Sequence, residues 1–144
     1  MRIRSASSGE IDLLFEIWRS AVGATHDFLA AADFGAISAA VRDEYLPSAD
    51  LWVATDENDR PLGFMGMTGD MVDTLFVAPS VHGRGIGSAL IAHARHLRGP
   101  LRVDVNEQNE GAIAFYLRLG FRVAGRSERD GAGMPYPLLH LTEG

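Results

Sequence analysis

The chain of 144 residues contains neither cysteine nor lysine, and it has no long hydrophobic run. Without cysteine it forms no disulfide, no thiolate metal site and no cysteine acyl-enzyme. No apolar stretch approaches the roughly 20 residues that a membrane-spanning helix needs, and the first residues lack the apolar core of a signal peptide. We therefore expect a single domain over residues 1–144, located in the cytoplasm.

Negative charge predominates, with a net charge of −6 at pH 7, but it is unevenly distributed. Residues 1–78 carry a net −8, residues 79–129 a net +4 and residues 130–144 a net −2. The positive part suits an anionic ligand and the acidic part a cationic one, although an ordinary solvated acidic surface explains the same numbers. No basic stripe with interleaved aromatic residues is present, which argues against nucleic acid as a partner.

Hydrophobic periodicity and turn residues predict elements in the order β-α-α-β-β-β-α-β-α-β-β. The first helix follows a capping-box pattern made by Ser7 and Glu10. The second helix is predicted over Ala31–Tyr45, with Pro47 as its boundary. The histidines show no spacing typical of metal ligands, so no metal site is predicted.

The most informative segment is Met71–Ala92, which reads as a strand, a proline stop, a glycine-rich turn and the start of a helix. Glycine lets the backbone turn tightly and approach a ligand closely. The free N–H groups and the positive dipole end of a helix then favour an anion at the same place. A bound phosphate group is the functional interpretation, and a tight turn without a ligand is the simpler one.

Two common phosphate-binding patterns do not fit this segment. No Gly-Lys-Ser/Thr follows the glycines, which excludes a P-loop. The dinucleotide fingerprint fails because Leu90 stands where a third glycine is required, and no acidic residue follows about 20 positions later.

A second segment, Asn109–Phe121 (NEGAIAFYLRLGF), narrows the choice. Asn109 can cap a helix whose apolar face includes Tyr116, and Gly120 stands where a helix end requires left-handed backbone. The two segments together resemble the GCN5-related N-acetyltransferase (GNAT) superfamily. His82-Gly83-Arg84-Gly85-Ile86-Gly87 resembles its Gln/Arg-x-x-Gly-x-Gly/Ala loop, with His82 as the departure. The second segment resembles its Asn-x-x-Ala-x-x-Phe-Tyr motif followed by Gly-Phe, and the likeness covers nearly the whole chain.

The resemblance implies the GNAT fold of class α/β (α+β), a central mixed, mostly antiparallel sheet of about seven strands with helices on both faces. In that family the fourth and fifth strands separate, and the pantetheine arm of the cofactor lies between them. A bulge near Leu75 is expected to open the fourth strand and to aim an amide at the thioester carbonyl as an oxyanion donor.

The resemblance also implies a set of residues that bind acetyl-CoA, in which backbone amides of the loop hold the pyrophosphate. The implied cofactor-binding residues are Leu75, Phe76, Val77, Gly83, Arg84, Gly85, Ile86, Gly87, Ser88, Asn109 and Tyr116.

Tyr116 matches the family's tyrosine near the cofactor sulfur, so it is the implied general acid, although packing alone would also explain it. Three residues are candidates for the base. Asp73 on the fourth strand shares a face with Leu75 and Val77 if no bulge intervenes. Glu107 follows the fifth strand, and His26 lies in the loop after the first helix, where it is a candidate base or substrate contact.

The function implied by the resemblance is direct transfer of acetyl from acetyl-CoA to a primary amine in a ternary complex. The THDFL, VNEQNE and PYPLL segments resemble a group of small bacterial GNAT proteins, which suggests a peptidyl or small-molecule amine as the acceptor. Tyr136 and Arg126 are candidates for shaping the acceptor side. A non-catalytic CoA-binding regulator, an aminoacyl-tRNA acetyltransferase of the toxin type and a longer acyl group remain open, and so does the choice between monomer and homodimer.

Overall fold

The computed structural model of the protein describes residues 1–25 and 30–143. In this part of the chain one sheet contains seven strands in the spatial order β1-β2-β3-β4-β5-β7-β6. The strands are β1 (Arg2–Ser5), β2 (Asp50–Thr55), β3 (Pro61–Thr68), β4 (Met71–Val77), β5 (Arg102–Asn106), β6 (Arg122–Ser127) and β7 (Leu138–Thr142). Neighbouring strands are antiparallel except β4 and β5, which are parallel. The predicted mixed, mostly antiparallel sheet is confirmed.

Helices lie on both faces of the sheet, as predicted. They are α1 (Ile11–Thr25), α2 (Ala31–Ala40), the short α3 (Leu46–Ser48), α4 (Ile86–Arg98) and α5 (Glu110–Arg118). Helices α4 and α5 pack on one face of the sheet, in a core that includes Leu90, Val103 and Tyr116. Helix α1 packs on the other face, around Leu14, Phe64 and Trp18. The sheet is therefore covered on both faces, which accounts for apolar runs in its central strands.

The predicted end of the second helix is wrong. A single π-helical turn over Val41–Tyr45 follows α2, and α3 then continues through Pro47 to Ser48. Proline is tolerated at this position because the π turn, in which the Leu46 N–H donates to the Val41 carbonyl five residues back, already interrupts the regular α-helical ladder. The wide turn brings Tyr45 towards the sheet, where its hydroxyl contacts a residue of strand β4.

The entry to α1 is tied to the first strand by charged side chains. The carboxylate of Glu10 accepts a hydrogen bond from the Ser7 backbone N–H at 2.9 Å, as expected for the second half of a capping box. Both oxygens of Glu10 also accept from the Arg4 guanidinium, at 2.8 and 2.9 Å. These hydrogen bonds from Arg4 are the main reason why the Glu10 pKa falls to about 2.

None of the helices in the described residues has both the length and the apolar character needed to span a bilayer.

Candidate active site

The site begins where the pairing of β4 with β5 stops. These parallel strands pair only at Met71–Arg102 and Val72–Val103, and beyond these positions they separate. The sheet therefore contains a wedge-shaped gap between the carboxyl ends of β4 and β5. Strand edges that do not pair with each other can pair with an extended ligand.

A β-bulge shapes the β4 side of the gap. Gly66 pairs with Thr74 and Met67 pairs with Val72, so Asp73 is the additional residue. The bulge lies two positions before Leu75, near which it was expected. The Thr74 hydroxyl takes over one ladder bond, since its Oγ1 accepts from the Gly66 N–H at 3.0 Å. Bulges commonly redirect a strand next to an active site.

Tyr45 secures this bulge from the α2 side. Its hydroxyl lies 3.0 Å from Thr74 Oγ1, and a Cβ added at Gly66 would lie only 1.9 Å from the Tyr45 oxygen. Burial is the main cause that raises the Tyr45 pKa to about 12, so the hydroxyl stays protonated and can donate. Glycine at position 66 is thus a packing requirement of the bulge.

The backbone of Leu75 and Val77 faces the gap. The Ala78 N–H donates to the Leu62 carbonyl at 2.9 Å, which sets the phase of the β3–β4 ladder. Because antiparallel residues alternate between facing and not facing the partner strand, Phe76 bonds to β3, and the N–H and C=O groups of Leu75 and Val77 point towards β5. These groups are the ones that an extended ligand in the gap can reach.

The glycine-rich loop opens α4 at the wide end of the gap. Gly83 and Gly85 both have φ +79°, in the left-handed region that other residues seldom adopt, and Gly85 is the N-cap of α4. Gly87 serves a different purpose, since a Cβ there would lie 3.1 Å from the Phe115 ring. The third glycine therefore allows close contact between α4 and α5, while the first two shape an anion-binding turn.

Gap and loop form one continuous cavity of about 510 Å³. This volume is typical of small-molecule sites. Of the residues that the resemblance implies, those lining the cavity are Leu75, Phe76, Val77, Gly83, Gly85, Ile86, Gly87, Ser88, Asn109 and Tyr116. Arg84 is exposed in the loop and is not among the lining residues. Ala21, Val81 and Phe115 also line the cavity, and sequence reasoning did not assign them.

Tyr116 stands on α5 at the inner wall of the cavity, only 5 % exposed. Its ring packs edge-on against Phe115 and Phe121, with ring centroids 5.0 and 5.3 Å away. Burial raises the pKa of the phenol well above its ordinary value. The hydroxyl is therefore protonated at neutral pH, which is the form that a proton donor requires.

The three candidate bases differ in their surroundings. Asp73 is exposed in the bulge, and its carboxylate accepts from the Thr68 hydroxyl at 2.6 Å. The bulge breaks the alternation that would have placed it on one face with Leu75 and Val77. Glu107 forms an ion pair with Arg126, which lowers the Glu107 pKa. His26 lies outside the described residues.

Comparison with known proteins agrees with this geometry. Residues 47–123 match the acetyltransferase (GNAT) domain family. The chain belongs to the GNAT superfamily of N-acetyltransferases. It is 48 % identical over 141 residues to the peptidyl-lysine N-acetyltransferase YjaB of Salmonella typhimurium, covering 98 % of this chain and 97 % of that protein. It is 33 % identical to the peptidyl-lysine N-acetyltransferase YiaC of Escherichia coli, covering 92 % and 91 % of the two chains.

Solved GNAT structures share the fold. The solution structure of apo-form YjaB from Escherichia coli superimposes with a TM-score of 0.93 at 46 % identity, covering 99 % of this chain and 96 % of that one. A PaiA N-acetyltransferase from Thermoplasma acidophilum, solved with coenzyme A, has a TM-score of 0.78 at 18 % identity, covering 96 % of both chains. The second likeness concerns the fold alone.

His82 is the departure of this GNAT chain from the family loop motif, and it has its own contact. Its Nε2 lies 3.0 Å from the Val77 carbonyl oxygen, so Nε2 carries the hydrogen and donates. His82 thereby occupies one acceptor on the edge of β4 that faces the gap. The position in the motif was visible in the sequence, whereas the contact depends on the path of the loop.

The hydroxyl of Tyr136 joins distant parts of the chain. The Tyr136 hydroxyl donates to the Asp33 carboxylate and accepts from the Ala30 N–H at 3.2 Å. It ties the β6–β7 connection to the start of α2. The hydrogen bond to Asp33 is the main cause of the raised Tyr136 pKa. Arg126, the other candidate for shaping the acceptor side, is paired with Glu107 at the end of β5.

Proposed function

We propose that this GNAT chain transfers the acetyl group of acetyl-CoA to the ε-amine of lysine in a peptide or protein. The observation that carries the proposal is the gap between β4 and β5, which leads without interruption to the glycine loop. An open strand edge suits a pantetheine arm, and a helix N-terminus preceded by two left-handed glycines suits a pyrophosphate. The two features stand in the order in which these parts follow each other in coenzyme A.

The residues of the chain fit that cosubstrate on structural grounds. The Leu75 carbonyl and the Val77 N–H would pair with the pantetheine amides, and the N–H groups from Gly83 to Ser88 would hold the pyrophosphate. When bound, acetyl-CoA supplies an acetyl group activated as a thioester. The backbone N–H of Leu75, just past the bulge, is the proposed donor that stabilises negative charge on the thioester oxygen.

Tyr116 is the proposed proton donor to the departing sulfur. The apolar wall that raises the phenol pKa also raises that of a thiol beside it, because desolvation disfavours both anions. Burial therefore does not by itself widen the difference in acidity between the phenol and the thiol. The ring packing with Phe115 and Phe121 fixes the direction of the hydroxyl.

Among the candidate bases, Glu107 is the least suited, since the hydrogen bonds from Arg126 lower its pKa. Asp73 remains the proposed base, because it stands in the bulge at the narrow end of the gap and is open to solvent. A carboxylate there can take the ammonium proton directly or through a water molecule.

The acceptor class rests on charge and on similar proteins. Residues 1–78, which include α2 and β4, carry a net charge of −8, and such a field favours a cation. The relatives with about half of their residues identical are named peptidyl-lysine N-acetyltransferases. Lysine in an exposed peptide segment is therefore the proposed acceptor, ahead of a small-molecule amine.

Calorimetric titration of the purified chain with acetyl-CoA and with CoA tests the cosubstrate. We expect micromolar binding of both, and at least tenfold weaker binding for Gly85→Val, because valine is strained at φ +79°. Gly35→Val is the matched control, since it lies in α2 with open space around it. No binding to the wild-type chain at millimolar ligand would overturn the proposal.

Thiol release with a panel of lysine peptides tests the reaction. For Tyr116→Phe we expect kcat to fall by about 10²-fold or more with an unchanged Kd for acetyl-CoA, as for loss of a general acid. Retained kcat in this variant would remove the acid role. Tight CoA binding by the wild-type chain without release on any amine would instead indicate a CoA-binding regulatory domain.

A further inference from the structure

Three side chains on the second half of the sheet form a continuous hydrogen-bonded row outside the cavity. Ser127 Oγ lies 2.6 Å from His140 Nε2, and His140 Nδ1 lies 2.7 Å from Asp104 Oδ1. The three residues stand on β6, β7 and β5, which are neighbours in the sheet, and Asp104 pairs directly with His140 in the register. This serine, histidine and carboxylate have the mutual distances of an activated nucleophile.

The hydrogen bonds determine which nitrogen of His140 carries the hydrogen in its neutral form. A carboxylate only accepts, so Nδ1–H donates to Asp104. Nε2 then presents its lone pair to the Ser127 hydroxyl, which donates to it. Asp104 thus orients the imidazole, and the imidazole is placed to take the serine proton.

The row is separate from the cavity that we assign to acetyl-CoA. Asp104 directly follows Val103, the last β5 residue paired with β4, and so lies beside the gap. Ser127 lies two strands further along the sheet, a distance of about 10 Å at the usual strand spacing. The nucleophilic end of the row is therefore the end that lies farther from a thioester held in the gap.

The row is also accessible. The side chains of His140 and Asp104 are 38 % and 37 % exposed, and Ser127 is half-buried. They lie on the face opposite the core residues Val103 and Leu141, because side chains alternate along a strand. On β5, β7 and β6 the other charged residues that share this face are Arg102, which is paired with Asp70, and Arg122. A small acyl compound can approach from solvent.

We propose that Ser127 is an acyl-acceptor site, with His140 as its base and Asp104 as a positioning residue, for activated acyl donors such as aryl esters and acyl phosphates. Ser127 Oγ forms a bond to the acyl carbon while the bond from that carbon to the leaving oxygen breaks. The serine proton moves to His140 Nε2 and from there to the leaving oxygen or to solvent. The product is an O-acyl serine, and no oxidant or metal is required.

Incubation with 4-nitrophenyl acetate, followed by intact-mass measurement and peptide mapping, tests the proposal. The chain contains no lysine and no cysteine, so the two strongest competing nucleophiles are absent, and the α-amino group, the tyrosines and the other histidines form the background. We expect one acetyl group, on Ser127, released with one equivalent of nitrophenolate. Saturating CoA should not protect Ser127, because the row lies outside the cavity. Acetyl only elsewhere, or protection by CoA, would overturn the proposal.

Substitutions distinguish a chemical role of this row of side chains from a purely structural one. Ser127→Ala should abolish labelling, and His140→Gln should slow it by about 100-fold or more, as for loss of a general base. Ser48→Ala is the matched control, an exposed serine whose hydroxyl bonds only to backbone carbonyls among the described residues, and it should label like the wild type. Equal labelling rates in His140→Gln and wild type would contradict the role of the base.

The positioning role of Asp104 has its own readout. Nitrogen NMR of the wild-type chain should show His140 with its hydrogen on Nδ1, and Asp104→Asn should change this tautomer and slow labelling together. A slower reaction with an unchanged tautomer would overturn the positioning role. The test does not depend on the acetyltransferase proposal, since failure of acetyl-CoA binding leaves the labelling prediction intact.

Discussion

The two halves of the sheet are built differently, and the candidate active site lies at their junction. Strands β1 to β4 form a continuous antiparallel half, whereas β5, β7 and β6 form a second half. Only two residue pairs of the described strands, Met71–Arg102 and Val72–Val103, join them in register. Each half keeps its own antiparallel ladder, so β4 and β5 can separate at the gap without disturbing the pairing within either half.

The halves also differ in how they form their side of the gap. Side chains shape β4, since Thr74 replaces a ladder acceptor and Tyr45 holds Thr74 in place. The β5 side is a regular strand, which is followed in the chain by α5 with Asn109 as its N-cap. The separation of β4 from β5 thus comes from an irregular strand beside a regular one. Substitutions at the gap should therefore lower the stability of the first half more than that of the second.

Gly66→Ala should have the largest effect on stability. The added Cβ would lie 1.9 Å from the Tyr45 hydroxyl oxygen and 2.8 Å from Thr74 Oγ1, so the bulge must shift. We expect a loss of about 2–3 kcal/mol, as for other overpacked cores, and a fall in Tm of roughly 5–10 °C. Gly35→Ala is the matched control and should be neutral or stabilising, because alanine favours a helix. Equal Tm values for the two variants would mean that Tyr45 does not constrain the bulge.

Thr74→Val should have the next largest effect, and it addresses the hydrogen bond rather than the space. Valine keeps the shape but leaves the Gly66 N–H without its acceptor, for an expected loss of about 1–2 kcal/mol in urea unfolding. Thr74→Ser retains the hydroxyl and should recover most of that loss. If serine and valine variants unfold at the same urea concentration, the hydroxyl does not support the bulge.

Acid unfolding probes the outer edge of the first half, where Arg4 holds Glu10. The Glu10 pKa is lowered from 4.5 to about 2, so the stabilisation is fully present above pH 4.5 and is lost as the pH falls towards 2. Glu10→Gln should therefore flatten the dependence of stability on pH over this window. Glu57→Gln makes the same charge change at an exposed turn and serves as the control. An unchanged slope for Glu10→Gln would contradict the role of this ion pair.

Arg102→Ala should have the smallest effect, although it removes the ion pair beside the junction. Arg102 and Asp70 are both largely exposed, at 55 % and 46 %, and solvent screens such pairs strongly. We expect a change in Tm within the error of a thermal melt. A fall as large as that of Gly66→Ala would show that the junction, and not the bulge, limits the stability of the sheet.

The sequence was informative wherever a local motif sets the geometry. The order of elements, the glycine turn and the Asn109 cap follow from residues close together in the chain, and the structure has all three. The helical continuation through Pro47 was missed because a π turn depends on packing against the sheet. Pro47 was interpreted as the boundary of the second helix only because proline ordinarily disfavours a helix interior.

Contacts between distant residues could not be read in the same way. The row of Asp104, His140 and Ser127 depends on the register of three strands. Hydrophobic periodicity predicts the face of the sheet on which a residue lies, but it does not predict which residue lies opposite on the next strand. A bulge near Leu75 was expected from the family resemblance, but its position at Asp73 could not be read, since one inserted residue changes no pattern that the sequence displays. The face of Asp73 was therefore predicted only on the condition that no bulge intervenes.

The open edge of β4 also matters for how the chain avoids aggregation with other copies of itself. Unpaired strand edges are sites at which protein molecules add to one another and aggregate. Here that edge lies inside a wedge that narrows to two paired positions, and His82 covers the Val77 carbonyl. A flexible single-chain ligand can enter this space, whereas a second folded sheet has no room to align with it. The same separation of strands that offers a binding edge thus keeps that edge from joining another molecule.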